Sequence, residues 1–337
     1  MHVFEGQTAN EVWQKAVQVF RENNFAKRQL GRGGPTNELI HAVCVIQDSR
    51  QRWVVSRSPG LSPAFAIVEM LWILNGRKDS AFINPWNPIY QKFAGKGDEY
   101  HGAYGFRLRH HFGIDQIERA YEVLLNNPEG RQVVLQIWDP NADLPAISGN
   151  PVAEDIPCNI CSLVKVRNNK LEWFQVLRSN DLFRGMPYNF IQFTFLQEIL
   201  AGWLGVEPGS YHHLSDSLHV YEKDREKILM SEPLNSDLNT DSLCLPKSDS
   251  ERILGELDRR IEAMSSTNIT DKELIHLTKF EGCPAAFQNL LLLVGADGAR
   301  RKFSLSLAQE LMSLCTNPAL QQLWVRWVAR HRTYQNR

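Results

Sequence analysis

The sequence has almost no charge bias, no long apolar run, and no cysteine pattern of the kind that builds metal cages or disulfide frameworks. Lys and Arg number 37 against 38 Asp and Glu. No general field therefore draws nucleic acid or an anionic membrane, neither is an expected partner, and any phosphate site must be local. No stretch approaches the ~18 to 20 uninterrupted apolar residues of a membrane span. Met1-His2-Val3-Phe4-Glu5-Gly6 lacks the charged start and apolar middle of a secretion signal, so a cytoplasmic protein is expected. The six cysteines, Cys44, Cys158, Cys161, Cys244, Cys283 and Cys315, are scattered and read as thiols in a reducing compartment. Cys158-Asn159-Ile160-Cys161 has metal-like spacing, but no second Cys pair or His pair accompanies it. Alternation in a strand starting at Cys158 also puts Cys161 on the opposite face, so no metal is expected.

What is present is a 337-residue chain, 43% hydrophobic, enough for one large core or a core with a smaller appendage. The apolar spacing predicts helices at Asn10 to Asn23, Pro63 to Asn75 (ended by Gly76), Ile114 to Asn126, and Phe190 to Leu204, the last apolar on most sides and hence buried. Strands are expected at His41 to Ile46, Trp53 to Val55, Arg131 to Trp138, Ser162 to Val166 and Leu171 to Leu177. A glycine-rich turn lies at Gly31-Arg32-Gly33-Gly34-Pro35, and an irregular loop is expected over Ala142 to Asp155. Ser231 to Ser250 is rich in Ser, Asn, Asp and Pro and reads as a loop or linker. Beyond it, Ser250 to Met264, Asp271 to Lys279, Pro284 to Val294, Leu305 to Cys315 and Ala319 to His331 look helical. The expected class is α+β, a mixed sheet with packed helices over residues 1–235, followed by a linker and helical extension over 236–337 whose role is open. Trp324 and Trp327 read as core or dimer contact, and the basic residues Arg326, Arg330, His331, Arg332 and Arg337 as a solvated helix end.

The chemistry concentrates between residues 157 and 221. A thiol becomes a useful nucleophile as thiolate, and a nearby cation is the usual means of lowering its pKa from ~8.5. The two strands joined by the polar turn Arg167-Asn168-Asn169-Lys170 form a hairpin that returns Arg178 toward Cys158. Taken singly, Cys158 reads as a small buried hydrophobe, as most free cysteines are. Asn189 carries both a donor and an acceptor, suited to a base edge, although helix N-cap is an alternative use. His219 and Tyr221 lie two apart on a strand and share a face.

Together, Pro157-Cys158, Arg178-Ser179-Asn180-Asp181, Gly185-Met186-Pro187-Tyr188-Asn189 and His219-Val220-Tyr221 resemble, in order and spacing, the motifs of the thymidylate synthase family, which includes the pyrimidine nucleotide 5-hydroxymethylases. Val68-Glu69-Met70-Leu71-Trp72-Ile73-Leu74-Asn75-Gly76, Ala103-Tyr104-Gly105 and Asn127-Pro128-Glu129-Gly130-Arg131 extend the resemblance, which spans about 20 to about 235.

The resemblance implies the family's fold and a transferase that moves a one-carbon unit from 5,10-methylenetetrahydrofolate to C5 of a pyrimidine nucleoside monophosphate. It implies a homodimer packed sheet against sheet. Cys158 would add to C6 of the base. Arg178 would activate that thiol and, with Ser179, hold the phosphate, which Arg131 would reach from the partner subunit. Asn189 would read the base; His219 and Tyr221 would bind the sugar. Glu69 would organise water and relay protons, and Tyr104 would help remove the C5 proton. Asp181 would hold the pterin, and Trp86 stack on folate. Gln132 stands where the family has a second arginine; Arg28 or Arg32 could replace its charge.

The chain departs from the synthases at Asn159, in place of the usual His, and at Leu177, in place of Gln. Its Arg-rich helical ending differs from the short apolar tail with which synthases exclude water. These features lean toward 5-hydroxymethylation of CMP, dCMP or dUMP. The alternatives are a thymidylate synthase making dTMP, and a non-catalytic nucleotide-binding regulatory protein.

Overall fold

The computed structural model describes residues 1–22 and 27–335, and its layout follows from where apolar faces need cover. β1 (His2–Gly6) leads into α1 (Ala9–Glu22), then the hairpin of β2 (Lys27–Gly31) and β3 (Gly34–Ile46). α2 (Pro63–Leu74) precedes the short turns α3 (Ser80–Ile83), α4 (Gln91–Ala94) and α5 (Tyr104–Phe106), and then α6 (Gln116–Asn126). β4 (Val134–Gln136), α7 (Pro140–Asp143), β5 (Asn159–Arg167), β6 (Lys170–Leu177), β7 (Asn180–Asp181), α8 (Met186–Leu204) and β8 (Glu207–Tyr221) follow. α9 (Arg225–Leu229) ends this part; α10 (Lys247–Met264), α11 (Asp271–Thr278), α12 (Ala285–Arg301), α13 (Leu305–Ser313) and α14 (Pro318–Gln335) form the extension.

The sheet runs β1-β3-β8-β6-β5-β4, with β2 beside β3 and β7 beside β8. β1 pairs parallel to β3 and β6 parallel to β8, the other neighbours on that path being antiparallel, so the expected mixed α+β sheet is present. In β6, Leu171, Trp173, Gln175 and Leu177 enter the core, while Glu172, Phe174 and Val176 on the other face are half-buried. α2 is buried along its whole length and α8 along nearly all of it. A helix apolar all round needs cover on every side, and the extension supplies it for α2, against which α10, α12 and α14 pack. One apolar core therefore runs from Phe4 to Trp324 and Trp327.

Several boundaries differ from those read in the sequence. Trp53–Val55 forms no strand; its buried residues pass as irregular chain between β3 and α2. The strand expected over Arg131 to Trp138 shrinks to Val134–Gln136, because Ile137 and Trp138 both donate to the Ile160 carbonyl and break the ladder. The loop expected from Ala142 opens instead with α7, capped by Asp139, whose side chain accepts from Asn141 N. α8 starts at Met186 with Pro187 in its first turn, so Asn189 lies inside the helix rather than capping it. α12 continues past Val294 because Gly295 and Gly298 let α11 approach: a Cβ on Gly295 would stand 2.3 Å from the Thr278 methyl. The expected last residue of α1, Asn23, lies outside the described residues.

The segment 231–246 has no regular structure, as its composition predicts, yet it is strapped down. Asn10 Nδ2 donates to the Leu234 carbonyl (2.8 Å), Asn239 N to Gln51 Oε1 (2.8 Å) and Leu243 N to Glu198 Oε1 (2.8 Å). Arg77 then joins α2's end to α10 through Asp258 (3.1 Å) and Glu262 (3.0 Å). On α14, Arg326 and Arg330 donate to the carbonyls of Arg57 and Gly60 rather than standing free; the side chains of His331, Arg332 and Arg337 are outside the described residues.

Candidate active site

The β5–β6 hairpin returns the chain as its periodicity predicts. Arg178 N donates to the Cys158 carbonyl (2.9 Å), its Nε to the Pro157 carbonyl (2.9 Å) and its Nη2 to the Ile156 carbonyl (3.1 Å). The guanidinium thus braces the backbone that carries the Cys158 thiol. Its charge pulls the thiol down, as does that of Arg32, but burial is the larger effect and Asp155 and Asp181 add to it, so Cys158 lies above its ordinary value. The expectation that Arg178 lowers this thiol below its ordinary range is corrected: desolvation outweighs the charge of Arg178.

Around Cys158 stand groups held by buried amides. Glu69, 5% exposed on α2, has its carboxyl pushed up to about 7 by burial, against the pull of a hydrogen bond with Gln192. Asn189 Nδ2 donates to Gln192 Oε1 (2.9 Å), so the base-reading candidate and the acid candidate share one α8 glutamine. Tyr104 is raised well above its ordinary range by burial first and the charge of Cys158 second, so its phenol is protonated. Asn159, next to Cys158, accepts from Gln175 Nε2 (3.0 Å), and Gln175 accepts in turn from Ser162 (2.5 Å) and Trp173 (3.1 Å). One buried polar atom here, Glu69 Oε2, has no protein partner among the described residues, while Asn159 also meets the Tyr104 hydroxyl. Such an atom is costly unless a ligand or water meets it, which fits a polar substrate beside Cys158.

The raised Glu69 carboxyl has a signed consequence. The fold favours its protonated form, so relative to Glu69→Gln the wild type is most stable below the unfolded value of 4.5 and loses stability as pH rises through about 7. The loss reaches on the order of 3 kcal/mol at about pH 8. Melting temperatures of both proteins across that range are expected to show the wild type losing ground to the variant as pH rises. Parallel curves would contradict a buried, protonated Glu69.

β7 and β8 position the next group. Asn180 Nδ2 donates to His213 Nε2 (2.6 Å), and Tyr211 Oη lies 2.9 Å from His213 Nδ1. Burial pushes that imidazole down to about 3, so it is neutral, accepting at Nε2 and carrying its proton on Nδ1. Asp181 follows, its Oδ1 accepting from the N–H groups of Phe183 (2.8 Å) and Arg184 (2.9 Å) at the entry to α8. Burial raises Asp181, and the nearby His219 opposes this. The burial alternation along β8 slips by one at Asp216–Ser217, opposite His41 (φ 58°). Leu218 and Val220 consequently enter the core while His219 and Tyr221 remain half-buried on a shared face, their rings 5.3 Å apart.

Cys158, Arg178, Asp181, Tyr104 and Glu69 are therefore drawn into one electrostatic neighbourhood, with Asn189 tied in through Gln192 and His219 through Asp181. Ser179 is half-buried next to Arg178. Arg131 is not drawn in; it is exposed, and nothing among the described residues pairs with it. Trp86 also stands apart. It is buried, and the Arg301 guanidinium of α12 lies 4.0 Å over its ring while donating to the Pro85 carbonyl (2.9 Å), the kind of stacking position that the resemblance gives to folate. Of the two arginines near the glycine-rich turn, Arg28 pairs with Glu222 (2.8 Å), whereas Arg32 reaches the carbonyls of Glu154 and Phe93.

Sequence reasoning missed Gln192, Tyr90, Tyr188 and Asp155. Gln192 was legible as a polar residue three beyond Asn189, and so on the same face of the helix. Tyr90 and Tyr188 flank Phe65 at 5.8 and 5.1 Å, one turn from Glu69, and both feel its charge. No described helix is long and apolar enough to cross a membrane, and no group of three or more His, Cys, Asp or Glu among the described residues could hold a metal ion.

The family model described as thymidylate synthase matches residues 51–274, from just before α2 into α11. That is beyond residue 235, where the motif resemblance stops. A deoxyuridylate hydroxymethyltransferase of Bacillus phage SP01 is 32% identical over 236 residues, 66% of this chain and 60% of its own length. Another, of Pseudomonas phage M6, is 34% identical over 169 residues, 50% of this chain and 47% of its own. A putative thymidylate synthase of Methanothermobacter marburgensis is 36% identical over 216 residues, 63% of this chain and 89% of its own. The chain thus spans less than two thirds of the length of the two phage relatives.

Proposed function

The chain belongs to the thymidylate synthase family, and from that premise we propose that it is a transferase that adds a one-carbon unit to C5 of dUMP and leaves it as a hydroxymethyl group. The observation that carries the chemistry is the convergence of a half-buried thiol, a protonated Tyr104 phenol and a buried Glu69 carboxyl whose Oε2 has no partner among the described residues. A purely regulatory nucleotide-binding protein has no use for a thiol placed this way. The two phage relatives favour hydroxymethylation of a deoxyuridylate over a cytidylate or a methyl product.

Each residue then has a task. Arg178 and Ser179 hold the phosphate, since a planar fork matches its oxygens; Arg32 adds charge from the β2–β3 turn, and Arg131 adds a second arginine from the partner subunit of a sheet-to-sheet homodimer. With one N–H engaged by Gln192, Asn189 keeps its carbonyl and second N–H for N3–H and O4 of uracil. His219 and Tyr221 meet the sugar hydroxyl. Cys158 adds to C6 as thiolate, making C5 nucleophilic. Glu69 delivers a proton toward O4, and Tyr104 orders the water that takes the C5 proton. Methylenetetrahydrofolate supplies the carbon; Asp181 would hold its pterin, with Trp86 or the Tyr90 and Tyr188 rings as stacking surface.

Incubation of 5-tritiated dUMP with the protein and methylenetetrahydrofolate is expected to release tritium without forming dihydrofolate. Dihydrofolate formed in step with tritium release would replace this reading by thymidylate synthesis, and no release at all would sink the enzyme reading.

A further inference from the structure

Asp155 lies three residues before the nucleophile, and none of the roles above uses it. Its Oδ2 accepts from Gly102 N (2.9 Å), two residues before Tyr104. The fit is close: a Cβ on Gly102 would stand 2.7 Å from that oxygen and 2.8 Å from the Asp155 carbonyl. One carboxylate thus ties the segment that delivers Tyr104 to the segment that delivers Cys158. Among the described residues no donor bonds Oδ1 and no cation forms an ion pair with Asp155. Arg32, whose charge is felt at Asp155, spends donors on the carbonyls of Glu154 and Phe93.

Resting on the hydroxymethylase reading, we propose that Asp155 is the general base for the water that ends the reaction, and that it thereby sets the product. After folate departs, the base carries an exocyclic methylene at C5 and Cys158 at C6. The oxygen of water bonds to the methylene carbon while Asp155 takes its proton, and the electron pair moves onto C4–O4. Collapse of that enolate restores C5=C6 and breaks the C6–S bond, releasing Cys158 as thiolate, which recovers a proton from Asp155. Nothing is oxidised, and folate leaves as tetrahydrofolate.

Placement and base strength agree. The charge of Asp155 is felt at Cys158, Tyr104, Tyr90 and Tyr100, and burial raises its carboxyl above the ordinary range, against the backbone N–H of Gly102 and the charges of Arg32, His101 and Arg107. A raised carboxylate is the stronger base. Of the other carboxyls beside Cys158, Glu69 is bonded to Gln192 and serves the proton toward O4, and Asp181 accepts from the N–H groups of Phe183 and Arg184.

The test compares tritium release from 5-tritiated dUMP with hydroxymethylated product in one reaction of the full chain, in excess 2-mercaptoethanol to trap unquenched methylene as a thioether. Asp155→Asn keeps an acceptor for Gly102 N, so the tie between the two segments is preserved, and the ratio of product to tritium reads the last step apart from any change in the earlier ones. General bases contribute ~10²–10⁴-fold. Tritium release is therefore expected to stay within about threefold of wild type, while product per tritium drops at least about tenfold and thioether makes up the difference. An unchanged ratio, or tritium and product falling together, would overturn the role of Asp155 alone. Absence of tritium release by the wild type would overturn the hydroxymethylase reading beneath it.

Discussion

Cys158→Ala is expected to abolish both tritium release from 5-tritiated dUMP and product formation, while the variant still binds the nucleotide. Without a sulfur at C6, C5 has no electron density to offer, so no later step can begin. Removing the nucleophile of a covalent enzyme costs about 10⁶-fold in well-studied cases, and a loss of at least about 10⁴-fold is expected here. Nucleotide binding should persist, because Arg178, Ser179, Asn189, His219 and Tyr221 are unaltered and Arg178 is braced by backbone carbonyls rather than by the thiol. Equilibrium dialysis with dUMP, run beside the tritium assay, checks both halves. A variant that keeps even a tenth of wild-type tritium release would remove Cys158 from the mechanism.

The second large effect concerns how the site is held. Arg52 (2% exposed) and Glu198 (fully buried) form an ion pair deep under α8, and Glu198 also accepts from Leu243 N in the strap that leads to α10. Breaking such a pair leaves one buried charge uncompensated, typically at a cost of ~3–5 kcal/mol, whereas replacing both partners by apolar groups is often near neutral. Glu198→Leu should therefore lower the melting temperature by roughly 5–10 °C, and adding Arg52→Met should recover most of that loss. The same α8 carries Asn189 and Gln192, so the single variant is expected to weaken nucleotide binding as well. Equal melting temperatures for the single variant and wild type in thermal denaturation would show that the pair does not hold this helix.

The hairpin that carries Cys158 and Arg178 was legible because two alternating strands around a polar turn allow one return geometry. Glu69 was legible as the lone charge on an apolar helix. What escaped depended on distant partners. Asp155 sits in a stretch with no periodicity, and its position is set by Gly102, 53 residues away in the chain. The thiol's electrostatics also escaped, since spacing shows that Arg178 is near but not that desolvation outweighs it. Trp53–Val55 read as a strand because local composition does not say whether a ladder partner exists. The extension's helices were visible, yet their packing on α2 was not: an all-apolar helix demands cover without naming what covers it.

The group left on C5 distinguishes a hydroxymethylase from a synthase. Mass spectrometry of the nucleotide after incubation of the protein with dUMP and methylenetetrahydrofolate reads it directly. The mechanism derived from Cys158, Glu69, Tyr104 and Asp155 predicts dUMP heavier by one CH₂O unit, with tetrahydrofolate released. A gain of one CH₂ unit with dihydrofolate formed would contradict it, and would show that hydride rather than water reaches the methylene.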